Sequence, residues 1–167
     1  LVPPIPRMII FLLPGMPSRL QSKAQDTLRK LGVEVRLEAA VAGADKGGVI
    51  LKSGERIAAG AVVWVAGLRA APLVDALPTP KGPGGRLIVR ETLQLPAHPE
   101  VYAIGDIAHV GSPDARPYPM LAPVAIQQGD LVAKNVLRQL EAKGPLSFRY
   151  KDRGTMVTIG RQAAVAH

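Results

Sequence analysis

The chain has 167 residues, with 21 Lys+Arg against 13 Asp+Glu for a formal charge of +8, 47% hydrophobic residues and no cysteine. This is the composition of a globular protein, not of a disordered tail or a collagen-like rod. The absence of thiols excludes disulfides, zinc-thiolate centres, iron–sulfur clusters and a dithiol redox step from this stretch.

In chain order, residues 7–13 (RMIIFLL) form an apolar run closed by Pro14-Gly15, the pattern of a fully buried strand. Ser18 precedes residues 19–31, where Leu20, Ala24, Leu28 and Leu31 recur at helical spacing before Gly32. A second strand expected at 33–37 completes a βαβ unit, half of a doubly wound domain. Residues 40–45, 48–52 and 56–58 alternate and are separated by Lys46-Gly47 and Ser53-Gly54, turn pairs that favour antiparallel hairpins, so a β-meander follows. Residues 61–66 (AVVWVA), closed by Gly67, read as another buried strand with Trp64 in the core.

The Pro- and Gly-rich residues 72–85 mark a crossing between two domains. Strands are expected at 86–89 and 101–104. The longest helix spans 121–141, with Pro123 in its first turn, where the missing N–H has no intrahelical partner. Ala125, Ile126, Val132, Val136, Leu137 and Leu140 form its expected buried stripe, and strands at 148–150 and 156–159 close the chain. The apolar run 57–68 is far short of the roughly 20 residues that cross a bilayer. Opening at Leu1 and ending on the apolar 163–167, the sequence is expected to be a piece of a longer polypeptide.

A self-contained hydrolase is not expected from this sequence. Gly82-Pro83-Gly84-Gly85 has Leu87 where the third glycine of a phosphate-binding G-x-G-x-x-G would stand. Gly43 and Gly48 have Walker spacing, but Val49 replaces the lysine. His98, His109 and His167 form no metal-binding pair, and no serine lies in a nucleophile elbow. No catalytic side chain and no metal ligand is assigned. The basic residues are scattered, with no run of four, so the charge reads as a solvated face or a steering field and not as a nucleic-acid site.

One segment carries chemistry: Val101-Tyr102-Ala103-Ile104-Gly105-Asp106, read as a buried strand ending in Gly-Asp. The glycine admits close backbone approach, and a carboxylate at a strand's carboxyl end accepts hydrogen bonds from sugar or polyol hydroxyls. The helix beginning at Leu121-Ala122-Pro123 follows it, and first-turn N–H groups favour an anionic group.

These two pieces, together with Val62-Val63-Trp64-Val65-Ala66-Gly67, Gly85-Arg86-Leu87-Ile88-Val89, Ala122-Pro123-Val124-Ala125-Ile126-Gln127-Gln128-Gly129 and the segment from Phe148 through Gly160-Arg161, resemble the type II NADH dehydrogenases over residues 15–167. These are non-proton-pumping NADH:quinone oxidoreductases of the two-dinucleotide flavoprotein kind. The resemblance implies an α/β fold: part of a doubly wound NADH-binding domain with its meander (residues 1–68), then part of an FAD-binding domain (69–167). It implies FAD and NAD(H) as cofactors, a membrane quinone as acceptor, and peripheral attachment of the whole protein at the cytoplasmic side of the cell membrane. A homodimer is left open.

By the same comparison Gly105 and Asp106 hold the FAD ribitol, and Ala122, Pro123 and Val124 form the helix start beneath the flavin. Ala66 and Gly67 allow approach near the nicotinamide, and Ala122, Ala125 and Gln127 border the quinone. Two positions depart from the family pattern. Pro123 stands where many members have a glutamine, and Leu13 where a glutamate usually meets the adenosine ribose. Ferredoxin-type and sulfide:quinone reductases share the Gly-Asp and helix arrangement, although residues 150–160 favour the quinone dehydrogenases. A non-catalytic basic binding module is the alternative of another class.

Overall fold

The computed structural model describes residues 12–13, 15–65, 67–112, 114 and 116–167. By contacts the chain forms two units, Leu1–Val65 with Arg153–His167, and Ala66–Asp152. The expected strand at 7–13 lies outside the described residues except for Leu12 and Leu13, which are bent.

The first unit opens with α1 (Ser18–Lys30). No side chain caps its start; the Pro17 carbonyl accepts from Leu20 and Gln21, and the Gln21 amide reaches back to the Met16 carbonyl at 2.8 Å. Its end is a Schellman closure, with Gly32 N–H on Arg29 O, Val33 N–H on Leu28 O, and Gly32 at φ +76°. The predicted helix is therefore present to within a residue at each end. Its inner face carries fully buried Ala24, packed with Ile159 and Val165. The latter two belong to the antiparallel hairpin of β6 (Met156–Ile159) and β7 (Ala163–Ala166).

The meander is also present: β1 (Val41–Asp45), β2 (Gly48–Leu51) and β3 (Arg56–Ala58) pair antiparallel in that order. Asp45 shapes the first turn by accepting the Gly47 N–H at 2.8 Å and pairing with Arg56.

Two expected strands of this unit are absent. Residues 33–36 are irregular and Leu37 is a bend; Val33 is used to close α1, and Arg36 is tied to the carboxylates of Glu34 and Glu55. Residues 61–65 are irregular, with Val63 82%, Trp64 62% and Val65 88% exposed, so Trp64 is not a core residue. A strand is a property of a ladder, and no described segment pairs with this apolar run.

The second unit holds a parallel pair, β4 (Leu87–Val89) on β5 (Ala108–Val110), in register Leu87↔Ala108 and Val89↔Val110. The expected strand at 101–104 is only an isolated antiparallel bridge, Gln94↔Tyr102, flanked by Leu95 N–H on Val101 O and Ala103 N–H on Leu93 O. The parallel strand therefore follows Gly-Asp instead of leading into it.

The long helix, α2 (Ala122–Leu140), starts with Pro123 in its first turn as expected. Its inner face differs from the predicted stripe. Val124, Gln128 and Asn135 are buried, with Leu131 and Val132 packed against the core. Ile126, Leu137 and Leu140 are 64%, 62% and 81% exposed, and Val136 is exposed too. Two amides with backbone partners, Gln128 and Asn135, take buried positions outside the predicted stripe. The expected strand at 148–150 is irregular and joins no described ladder; Phe148 is buried and meets Tyr118 edge-on at 5.3 Å.

Candidate functional site

Gly105–Ile107 forms a single 3-10 turn entered from extended Ile104. Gly105 has φ +69°, a region L side chains rarely adopt, and a Cβ there would stand 3.4 Å from the Ala125 Cβ. Both polar groups of Gly105 are engaged: its N–H donates to the Gln128 Oε1 at 2.6 Å, and its carbonyl accepts the Ala108 N–H. The Gly-Asp turn thus rests on the first two turns of α2. Among the sequence-predicted residues, the structure brings together Gly105, Asp106 and Ala125.

Asp106 is exposed, and its carboxylate has no ion pair with any described residue. Arg86 is the nearby cation that sequence reading passed over. It is 7% exposed, donating from Nη1 to the Tyr118 carbonyl at 2.9 Å and from Nε to the Pro83 carbonyl at 3.4 Å. Burial pulls its pKa below the ordinary arginine value, while the Asp106 charge acts in the opposite sense. Its only advance signal was its place between Gly85 and Leu87.

The start of α2 offers fewer donors than a bare helix end. Val124 and Ala125 give their N–H groups to Leu121 O, Leu121 gives its own to Pro119 O, and Pro123 has none. The Ala122 N–H is the first-turn donor left free among the described residues. Ala122 and Pro123 are exposed; the Val124 side chain is buried in the core, so this residue can meet a ligand only through its backbone. Gln127 is half-buried with both amide atoms engaged: Nε2 donates to Lys151 O and Oε1 accepts Lys151 N–H, each at 3.0 Å. Gly67 is exposed at φ +85°, with open space beside it, and Ala66 lies outside the described residues. Among the described residues no group of acidic, histidine or cysteine side chains could hold a metal. None of the described helices is long and apolar enough to cross a membrane.

The Gly105–Asp106 turn thus presents a carboxylate with no ion pair among the described residues beside the first two turns of α2. Residues 2–129 match the family model described as pyridine nucleotide-disulphide oxidoreductase. The chain belongs to that family. Its members bind FAD and NAD(P) on an oxidoreductase fold, and this member, lacking cysteine, supplies no dithiol from the stretch in hand.

Among curated relatives, the type II NADH:quinone oxidoreductase of Haemophilus influenzae is 32% identical over 157 residues, which is 92% of this chain and 35% of that protein. The enzyme of the same name from Mycobacterium tuberculosis is 33% identical over 166 residues, covering 93% of this chain and 35% of its own length. The chain thus spans about a third of the length of the curated relatives it matches. Among solved structures, NDH2 from Plasmodium falciparum in complex with NADH superposes with a TM-score of 0.77 at 17% identity, over 93% of this chain and 47% of that one. The fold is therefore an α/β Rossmann-like dinucleotide-binding fold in which an antiparallel meander accompanies a parallel sheet.

Proposed function

We propose that this chain is part of a type II NADH:quinone oxidoreductase, contributing one wall of its FAD site. Residues 1–68 then belong to the NADH-binding domain, and the stretch from 69 onward to the FAD-binding domain. The observation that carries the reading is the Gly105–Asp106 turn seated on α2 beside Ala125. Among the described residues it leaves an exposed carboxylate, free of ion pairs, next to a helix start with one free N–H.

The residues present fit a flavin nucleotide. Asp106 accepts hydrogen bonds from ribityl hydroxyls, Gly105 keeps the turn free of a side chain, and Ala122 offers its N–H to a partly negative edge. FAD, when bound, supplies the two-electron redox chemistry that no side chain here provides. The protein's part is placement and charge: the buried Arg86 interacts electrostatically with Asp106, and the dipole of α2 favours negative charge at Ala122.

On the quinone side, Ala122 and Ala125 provide small walls. Gln127 contributes an amide only if a quinone carbonyl displaces Lys151 from it. The relatives' printed activity supports a quinone as acceptor and NADH as donor. The basic balance suits a peripheral position near anionic lipid.

The test is a titration of the 15N-labelled chain with FAD and, separately, with NADH, read at individual amides. FAD is expected to move Gly105, Asp106, Ala122 and Val124 with an affinity too weak to survive desalting, since the 167 residues hold no glycine-rich phosphate loop. Asp106→Ala should abolish those shifts. Amides at Gly105 and Ala122 that ignore saturating FAD overturn the reading. Grafting the chain in place of its matched stretch in the Haemophilus enzyme then reads the acceptor: NADH-driven quinone reduction supports it, and ferredoxin reduction in its place favours the ferredoxin-type alternative.

A further inference from the structure

Gln128 lies on the inner face of α2 and is 1% exposed, among the most buried side chains of the molecule. An amide in that position costs roughly 1–3 kcal/mol unless its polar atoms are paired. An apolar residue would satisfy the helix pattern, because Val124 and Leu131 on either side of it pack into the same core. What the amide adds is one bond, from the Gly105 N–H to its Oε1 at 2.6 Å.

That bond orients the peptide plane between Ile104 and Gly105, and with it the φ of +69° from which Asp106 departs. No side chain caps the turn; among the described residues its other backbone tie is the Ala108 N–H on the Gly105 carbonyl, while Ile107 packs against the core. Gln128 therefore helps hold the backbone from which the Asp106 side chain departs.

We propose that Gln128 is a positioning residue for the polyol chain of a bound flavin: through Gly105 it aims the Asp106 carboxylate and so sets preference for flavins that carry a ribityl group. This rests on the flavin reading above. The two fail in distinguishable ways when the chain is titrated with two probes, riboflavin and lumiflavin, which share the ring system but differ in the ribityl chain.

Wild type is expected to bind riboflavin about tenfold more tightly than lumiflavin, the discrimination one well-placed charge-assisted hydrogen bond supplies. Gln128→Met, close in size but without the acceptor, should bring that ratio to about one while leaving lumiflavin affinity unchanged. Asp106→Asn combined with Gln128→Met should lose no more riboflavin affinity than Asp106→Asn alone, because Gln128 acts only through that carboxylate. Should the Met variant fail to fold, Gln128→Asn, whose oxygen falls short of Gly105, serves in its place with the same expectation. A ratio that survives these substitutions overturns the role of Gln128 while leaving the flavin reading intact. Loss of both ligands in parallel marks Gln128 as structural only, and a wild type that binds neither probe overturns both inferences together.

Discussion

Gln127 and Lys151 are joined as two residues of neighbouring strands would be, the side-chain amide of one exchanging both hydrogen bonds with the backbone of the other at 3.0 Å. Eight residues along α2, Asn135 repeats the device on Leu146, donating at 3.0 Å and accepting at 2.8 Å. Residues 146–151 thus run antiparallel to the helix, held at two points by side chains that imitate a β-edge. This clamp carries Phe148 into the core and sets Tyr150 against Tyr118.

Removing the outer clamp is expected to cost about 1–3 kcal/mol, two bonds at roughly 0.5–1.5 kcal/mol each. Gln127→Leu should show this as a lower urea midpoint, with faster amide exchange at Lys151. A quinone analogue that engages Gln127 should likewise speed exchange at Lys151, whereas one that binds elsewhere should leave it protected.

Asn135 presents a sharper case, being fully buried with a third bond from Nδ2 to Thr92 O at 3.3 Å. Asn135→Leu removes its three hydrogen bonds, leaving the Leu146 N–H and carbonyl and the Thr92 carbonyl without their side-chain partner, and is expected to destabilise the unit by about 2–4 kcal/mol. Leu140→Ala, at a position 81% exposed, should change stability by no more than about 0.5 kcal/mol. Urea unfolding of the two variants checks the contrast, and equal losses would refute the assignment of the inner face.

That contrast shows where sequence reading succeeds and fails. The meander was legible because alternation and the pairs Lys46-Gly47 and Ser53-Gly54 are local signals, and β3 falls at 56–58 as expected. Both long helices were legible from their spacing and from Gly32 and Pro123. The inner face of α2 was not, because hydrophobicity ranks Leu137 above Asn135, while the fold ranks them by whether Leu146 needs a partner. The apolar runs 61–66 and 101–104 announced strands, but a strand also needs a neighbour. The first finds none among the described residues, and the second reaches only Gln94. The chemical segment itself was readable, since Gly105 and Asp106 are local. Their support by Gln128 and Arg86 depends on tertiary contacts 23 residues away for the glutamine.

Acid should loosen the meander. The Asp45 carboxyl is held below its ordinary value of 3.8, first by the hydrogen bond from Arg56 and then by the Gly47 N–H. A carboxylate whose pKa is depressed by folding contributes stability that is fully present above the unfolded value and disappears as pH falls through the lower folded one. The meander amides of β1 and β2 should therefore lose protection below about pH 4. Asp45→Asn should flatten that acid limb, and so should high salt, because the pair is exposed. An unchanged acid profile in the asparagine variant would remove Asp45 from the account.

The two glycines of the β1–β2 pair should respond in opposite directions to the same methyl group. Gly48 has φ +135°, and a Cβ there would run into the Ile57 carbonyl oxygen and lie 2.8 Å from the Ala59 nitrogen, both backbone atoms of the neighbouring chain segment. Neither can move without opening the β2–β3 ladder, whose register starts at Gly48↔Ala58. Gly48→Ala is therefore expected to cost roughly 2–4 kcal/mol, combining backbone strain with overpacking. Gly43 faces Ile50 across the ladder, with open space where its Cβ would stand and no positive φ. Gly43→Ala should stabilise the sheet by about 0.4–1 kcal/mol, because the unfolded chain loses freedom that the folded strand never uses. Thermal unfolding of the two single variants decides it: a fall for position 48 and a rise for position 43 are expected, and a tolerated alanine at 48 would mean that the β2–β3 register is not as described.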